Sequence, residues 1–124
     1  MVDPPTFEEW VTPEMLELSE YYKKWQAYYD RAGNSISFAE SMWQGVVDPG
    51  YYIVSHTHYS DGGKVSTVHL HFDHARGDGP PLIFETMVFN IDGWDDWQQR
   101  YTSEAEALFQ HGATVARVDA GLTS

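Results

Sequence analysis

The sequence predicts an α+β fold, in which a three-stranded antiparallel β-meander packs against a C-terminal helix and an aromatic N-terminal helix. Apolar residues recur every three or four positions in the first third of the chain, which indicates an amphipathic helix. Between residues 51 and 89 the period changes to two, and β-branched and aromatic residues dominate, as in strands. Ser103 and Glu106 then form a capping box, which predicts another helix start.

The composition limits the class of protein. The 124 residues fit a single domain (1–124), with a helical N-terminal part (1–47) and a part (48–124) that holds the meander and the last helix. The lack of cysteine excludes disulfides, thiolate metal sites and a cysteine nucleophile, and it suits the reducing cytoplasm. The first residues lack the features of a secretory signal, so we expect a cytoplasmic protein.

The net charge limits the partners. Seven basic and nineteen acidic residues give a net charge of -12, which repels phosphate backbones and anionic lipid surfaces. No apolar run approaches the ~20 residues that cross a bilayer. We therefore expect neither direct nucleic-acid binding nor a membrane protein. An acidic surface that occupies a basic site on another protein is the sharper interpretation of this charge.

The N-terminal helix is expected to begin after Thr12, a cap residue followed by Pro13, and to end near Gly33. Its apolar stripe is expected to pack in the core, and contact with another chain is the alternative. The stripe consists of Met15, Leu18, Tyr22, Trp25, Tyr29 and Ala32.

A second, short helix is predicted from the capping box of Ser37 and Glu40, followed by a turn at residues 48–50. Residues 34–36 before it are a candidate for a fourth strand, which would extend the predicted meander of three.

The meander itself is predicted from three segments, 51–60, 64–73 and 82–89. Asp61-Gly62-Gly63 joins the first two as a hairpin, and the glycine- and proline-rich residues 77–81 precede the third.

The end of the chain is predicted to hold an acidic connection, residues 91–101, and then a helix that ends near Gly121. His111 lies in the apolar face of that helix, where we expect a hydrogen-bonded core histidine. Glu85 interrupts an apolar strand and predicts either the solvent side of an edge strand or an ion pair, with Arg100 or a histidine as partner. A buried functional acid is the alternative.

Short motifs follow one another in the C-terminal half of the chain. They are VSTV at 65–68, Asp73-His74, GDGPP at 77–81, LIFETMVF at 82–89, Arg100-Tyr101 and Glu106-Ala107. This succession resembles that of a group of small proteins encoded by actinobacterial phages and prophages. The resemblance implies a phage-encoded accessory protein that works inside a bacterium, and it carries over no catalytic residue.

The sequence departs from that pattern at two histidines. Members of the group usually have an apolar residue where His69 stands and a glycine where His71 stands. They also have a glycine before the histidine of the last helix, where this chain has Gln110. A function that depends on His69 and His71 would therefore be particular to this protein.

Histidines cluster in the two strands of the predicted hairpin. If the hairpin closes around Gly62-Gly63, His56 lies opposite His69, and His56, His58, His69 and His71 share one surface. Four imidazoles there would suit a divalent transition metal, as in a cupin-like site. A one-residue bulge would separate the two pairs, and a polar, solvent-facing side of the sheet is the other interpretation.

Asp73, His74 and Asp78 form the best-defined polar loop, in which Asp73 could orient an imidazole base. No convincing nucleophile accompanies them, and a tight β-loop stabilised by Asp78 is the structural interpretation.

Trp94 and Trp97 lie outside any periodic element, next to Asp95 and Asp96. We expect an exposed acidic-aromatic binding surface there, and a lid over the sheet is the alternative.

These observations favour a non-enzymatic, phage-encoded protein that binds a host protein or a small ligand, without a cofactor, as a monomer or a homodimer. The alternatives are a small enzyme that uses the hairpin histidines and a virion or assembly component.

Overall fold

The computed structural model describes residues 2–74 and 79–124. Ten elements follow one another along the chain. They are α1 (Phe7–Trp10), α2 (Pro13–Tyr22), β1 (Tyr28–Tyr29), β2 (Ser35–Ile36), α3 (Phe38–Val47), β3 (Ile53–His58), β4 (Lys64–His69), β5 (Phe84–Phe89), β6 (Gln98–Tyr101) and α4 (Glu104–Asp119).

The main sheet has four antiparallel strands in the order β3-β4-β5-β6. The α+β class is confirmed, but the three-stranded meander is incomplete, because the sheet has a fourth strand, β6, in a segment that was predicted to be a connection. The predicted candidate at 34–36 forms a strand elsewhere, because β2 pairs with β1 in a separate two-stranded sheet.

The three longer helices begin where their caps predict. The side chains of Thr12, Ser37 and Ser103 each accept a hydrogen bond from the backbone N–H three residues on. Only Ser37 has the full reciprocal capping box of these three. Gly121 has a φ of 76°, as expected of a glycine that follows a helix end.

The predicted N-terminal helix is too long, because α2 ends at Tyr22 and not near Gly33. The helical periodicity hides a turn at residues 30–34. There Asp30 accepts hydrogen bonds from the backbone N–H groups of Asn34 and Gly33, and Gly33 has a φ of 88°. Tyr28 then pairs with Ile36 and forms a bridge with Phe72. These non-local pairings override the helical periodicity.

The β3–β4 hairpin has a different register from the predicted one. Tyr59 and Gly63 close a three-residue loop, in which Gly62 takes the left-handed conformation with a φ of 93°. His56 consequently lies opposite Ser66, not His69. The ladder shifts again between Ile53 and Ser55, as in a β-bulge.

Helix α4 packs against all four strands and covers one face of the sheet. Two clusters fill this layer. Ile83, Phe84, Tyr101 and Ala107 form one, and Val65, Val88 and Trp94 form the other.

The opposite face of the sheet carries three rows of side chains, given by the strand registers. The rows are His58-Lys64-Phe89, His56-Ser66-Met87-Gln98 and Ile53-Val68-Glu85-Arg100.

Helices α2 and α3 pack together beside the sheet. Ser19 lies at the centre of this contact, where its hydroxyl accepts from the N–H of Ala39, and the rings of Tyr22 and Phe38 lie 4.8 Å apart. None of the helices in the described part of the chain combines the length and the apolar character needed to cross a bilayer.

Candidate functional site

The four hairpin histidines do not share a surface. His56 and His58 lie on the face of the sheet away from α4, whereas His69 lies on the α4 face, because it pairs with Phe84. The predicted convergence of four imidazoles is therefore wrong, and the reason is the three-residue loop that ends in Gly62. Among residues 2–74 and 79–124, no three histidine or acidic side chains are placed to hold a metal ion.

His69 is a buried core residue, 2% exposed. The solvent-facing position that was the alternative to metal binding is therefore wrong for His69. Its ring lies 5.2 Å from Phe84 and 5.9 Å from Tyr51, between centroids. Neither ring nitrogen has a hydrogen-bond partner among the described residues. Burial, assisted by His71 and Arg31, lowers the pKa of His69 to about 4, and the nearby backbone of Asp30 opposes the shift.

His71 stacks on Tyr52, with 3.7 Å between ring centroids, and has a φ of 72°. Its Nδ1 atom lies 3.3 Å from the hydroxyl of Ser41, and the Tyr52 hydroxyl donates to the Ser41 carbonyl. Gly45 allows this packing, since a Cβ there would lie 2.7 Å from the Tyr52 ring. The contacts tie α3 to the end of β4, so His71 has a structural role.

Asp73 makes hydrogen bonds with the backbone, while the tight loop stabilised by Asp78 stays a prediction. Its carboxylate accepts from the N–H of Leu82 at 2.9 Å, and its own N–H donates to the carbonyl of Ala27. His74 stacks on Phe72 at 4.2 Å, and burial, then Arg100, lowers the pKa of His74. Asp78 lies outside the described residues, so the predicted set of three is placed only in part.

The expected exposed surface at residues 94–97 is wrong for Trp94, which is 1% exposed. Its indole Nε1 donates to the carbonyl of Leu122, and its ring meets Trp97 edge to face at 5.1 Å. Trp97 is half-buried, and only Asp95 and Asp96 are exposed. The segment is therefore closer to the alternative lid, held down by the end of the chain.

Glu85 forms the predicted ion pair, with 3.0 Å between its carboxylate and Nε of Arg100. The alternative of an edge strand is wrong, because β5 lies between β4 and β6. Glu85 is buried, so the pair satisfies a carboxylate that would otherwise be costly.

His111 is the predicted hydrogen-bonded core histidine. Its Nε2 atom lies 2.9 Å from the hydroxyl of Thr57 and its Nδ1 atom 2.7 Å from that of Thr67. The hydroxyl of Thr67 also lies 2.6 Å from the hydroxyl of Thr86. This chain of polar contacts joins α4 to three strands.

The outward side of α2 is exposed, and the predicted burial of the apolar stripe is wrong for Leu18, Trp25 and Ala32. Met15, Ser19 and Tyr22 point to the domain, while Leu18 and Trp25 point away. Trp25 is 72% exposed, in the turn that follows the helix. We call this exposed set the α2 face, and it comprises Glu14, Glu17, Leu18, Tyr21 and Trp25.

Four residues of the α2 face, Glu14, Glu17, Leu18 and Tyr21, line a concavity of about 530 Å³. The signal for exposure was present in the sequence. Glu14 lies four residues before Leu18, and Glu17 lies four residues before Tyr21. The acidic and apolar residues therefore share one side of α2.

A second concavity, of about 470 Å³, lies at Arg31, Ala32, Asp48, Tyr51 and Glu104. Arg31 already pairs with Glu104 and donates to the carbonyl of Tyr51 at 3.0 Å. This arginine is therefore a link between β1–β2 and α4, and not a free cation for a ligand.

Comparison of the chain with protein-family models, with curated protein sequences and with solved structures finds no match.

Proposed function

We propose that this chain is a non-enzymatic binding protein whose α2 face occupies a basic, partly apolar surface on a partner protein. The observation that carries the proposal is the exposure of Leu18 and Tyr21 at one concavity, together with that of Trp25, at 72%, in the turn that follows the helix. Large aromatic side chains that the fold leaves in solvent are typical anchors of protein interfaces.

The charge of the α2 face specifies the kind of partner. Glu14 and Glu17 line the same concavity as Leu18 and Tyr21, and the whole chain has a net charge of -12. Acidic side chains beside an apolar centre favour a partner with basic residues around an apolar patch, and the net charge speeds the encounter. The same charge opposes binding to nucleic acid or to an anionic membrane.

The resemblance of the C-terminal motifs to phage and prophage proteins supports a phage-encoded protein that works inside a bacterium. We take the partner to be a host protein in the bacterial cytoplasm, whose own binding site the acidic face would occupy. Such a function requires no cofactor. The four-histidine enzyme has lost its geometric support, since His56 and His69 lie on opposite faces of the sheet.

The test begins with affinity capture from an actinobacterial lysate, with wild type and with the double variant Leu18→Ala, Trp25→Ala as bait. Each captured protein is then purified, and its association and dissociation rates are measured by surface plasmon resonance at low and high salt. We expect the double variant to dissociate at least about tenfold faster, because buried anchors set the lifetime of a complex. Rising salt should slow association.

The control is Met42→Ala, which removes from α3 an apolar side chain that is about as exposed as Leu18. It should leave both rates unchanged. The proposal is overturned if every purified candidate binds the double variant and wild type equally well, or if none binds wild type.

A further inference from the structure

Helix α4 has an outward face that no described residue of the chain covers. Phe109 is 73% exposed and Leu108 is 47% exposed, and Ala105, Gly112 and Ala116 share this side of the helix. A solvated phenylalanine beside small residues forms a knob next to a shallow notch. This face is separate from the α2 face, so the inference does not depend on the proposed function.

No packing contact among the described residues requires a glycine at position 112. Gly112 lies in the middle of a 16-residue helix, and beyond the helix backbone an added Cβ would meet no described atom within 4 Å. Glycine in a helix interior is unfavourable relative to alanine. A close approach by another molecule at this point would account for it.

The face is complementary to itself when two copies run antiparallel. With Phe109 opposite Gly112, the same register sets Ala105 opposite Ala116 and brings Glu106 near Arg117 of the second copy. A twofold axis makes each of these contacts twice. Glu106 and Arg117 are both exposed and have opposite charges, although Arg117 also contacts Trp94 and the carbonyl of Thr123 within its own chain.

We propose that the protein forms an isologous homodimer through α4, in which Phe109 of each copy inserts at Gly112 of the other. A second copy fits better than another partner because ten consecutive residues, 107–116, carry no charged side chain. Two chains with a net charge of -12 repel each other, so a self-contact requires such a stretch. The acidic α2 face could not meet its own copy in this way.

Sedimentation velocity of the full chain over a range of concentrations tests the dimer. Wild type should approach twice the monomer mass of 14.2 kDa, and Phe109→Ala and Gly112→Leu should each raise the dissociation constant at least about tenfold. Glu106→Arg should weaken the dimer, because it places a second positive charge near Arg117 of the other copy.

Circular dichroism at the same concentrations shows whether each variant keeps its fold, and Leu16→Ala on α2 is the control for loss of an exposed apolar side chain. A wild-type protein that stays monomeric at every concentration overturns the dimer. A dimer that survives both Phe109→Ala and Gly112→Leu shows that the contact lies elsewhere. In both cases binding through the α2 face is unaffected.

Discussion

The guanidinium of Arg117 lies over the indole ring of Trp94, with 4.9 Å between its central carbon and the ring centroid. Arg117 also donates to the carbonyl of Thr123 at 2.8 Å, and the Trp94 indole donates to that of Leu122. Gly93 completes the contact, since its carbonyl accepts from Ser124 and a Cβ there would lie 2.5 Å from Thr123. The segment around Trp94 therefore holds the end of the chain against the sheet.

Trp94→Ala should destabilise the fold by about 3–5 kcal/mol, because it removes a buried ring and leaves a cavity between α4 and the sheet. Trp25→Ala changes the same residue type at an exposed position and should cost no more than about 0.5 kcal/mol. Urea unfolding followed by circular dichroism measures both. Equal losses in the two variants would show that exposure does not distinguish these tryptophans.

Arg100 should contribute more to the stability of the fold than its own exposure suggests, because it pairs with the buried carboxylate of Glu85. Arg100→Leu leaves that carboxylate without its partner, and the expected loss is about 1–3 kcal/mol. The double variant Glu85→Leu, Arg100→Leu should recover most of the loss, because the two leucines extend the row of Ile53 and Val68. A urea double-mutant cycle measures the coupling, and additive losses would contradict a buried pair.

The elements that could be predicted from the sequence are those with local causes. Thr12, Ser37 and Ser103 each bond to a backbone N–H only three residues away, so a short window contains the whole signal. The period-two segments also gave the three strands β3, β4 and β5, because alternation is a property of a single strand.

The features that were missed depend on distant residues. Strand β6 has no apolar alternation of its own, and it exists because Gln98–Tyr101 pairs with β5. The hairpin register depends on the length of the loop that Tyr59 and Gly63 close, and a change of one residue in the pairing moves His69 from one face of the sheet to the other. Trp94 and Trp25 look alike in the sequence, and only the tertiary fold buries one and leaves the other in solvent.

His111 should contribute to stability through its two threonine contacts. Burial lowers the pKa of His111, which favours a neutral ring with one donor and one acceptor nitrogen. His111→Leu leaves the hydroxyl of Thr57 without this partner, and we expect a loss of about 1–3 kcal/mol. His111→Asn retains hydrogen-bonding capacity and should lose less. Amide exchange of β3 and β4 together with urea unfolding measures the effect, and equal losses in the two variants would exclude a role for the hydrogen bonds.

The buried His69 predicts that the protein loses stability in acid. The pKa of His69 is about 4 in the fold and ordinarily about 6.5, so the unfolded chain binds a proton that the folded chain does not. The contribution of His69 to the free energy of unfolding is fully present above pH ~6.5, falls as the pH decreases, and is lost by pH ~4. In total it amounts to about 3 kcal/mol. Burial also lowers the pKa of His71, so that residue adds to the same trend.

Urea unfolding at intervals between pH 7 and pH 4 tests this prediction. His69→Phe should flatten the acid dependence and keep or increase stability at pH 7, because it replaces an imidazole whose nitrogens have no described partner with a ring suited to the neighbouring Phe84. His69→Gln, closer in size, guards against overpacking and should flatten the profile too. His58→Gln changes an exposed histidine and should keep the wild-type slope. If both His69 variants retain the full acid dependence, the loss of stability arises from other groups.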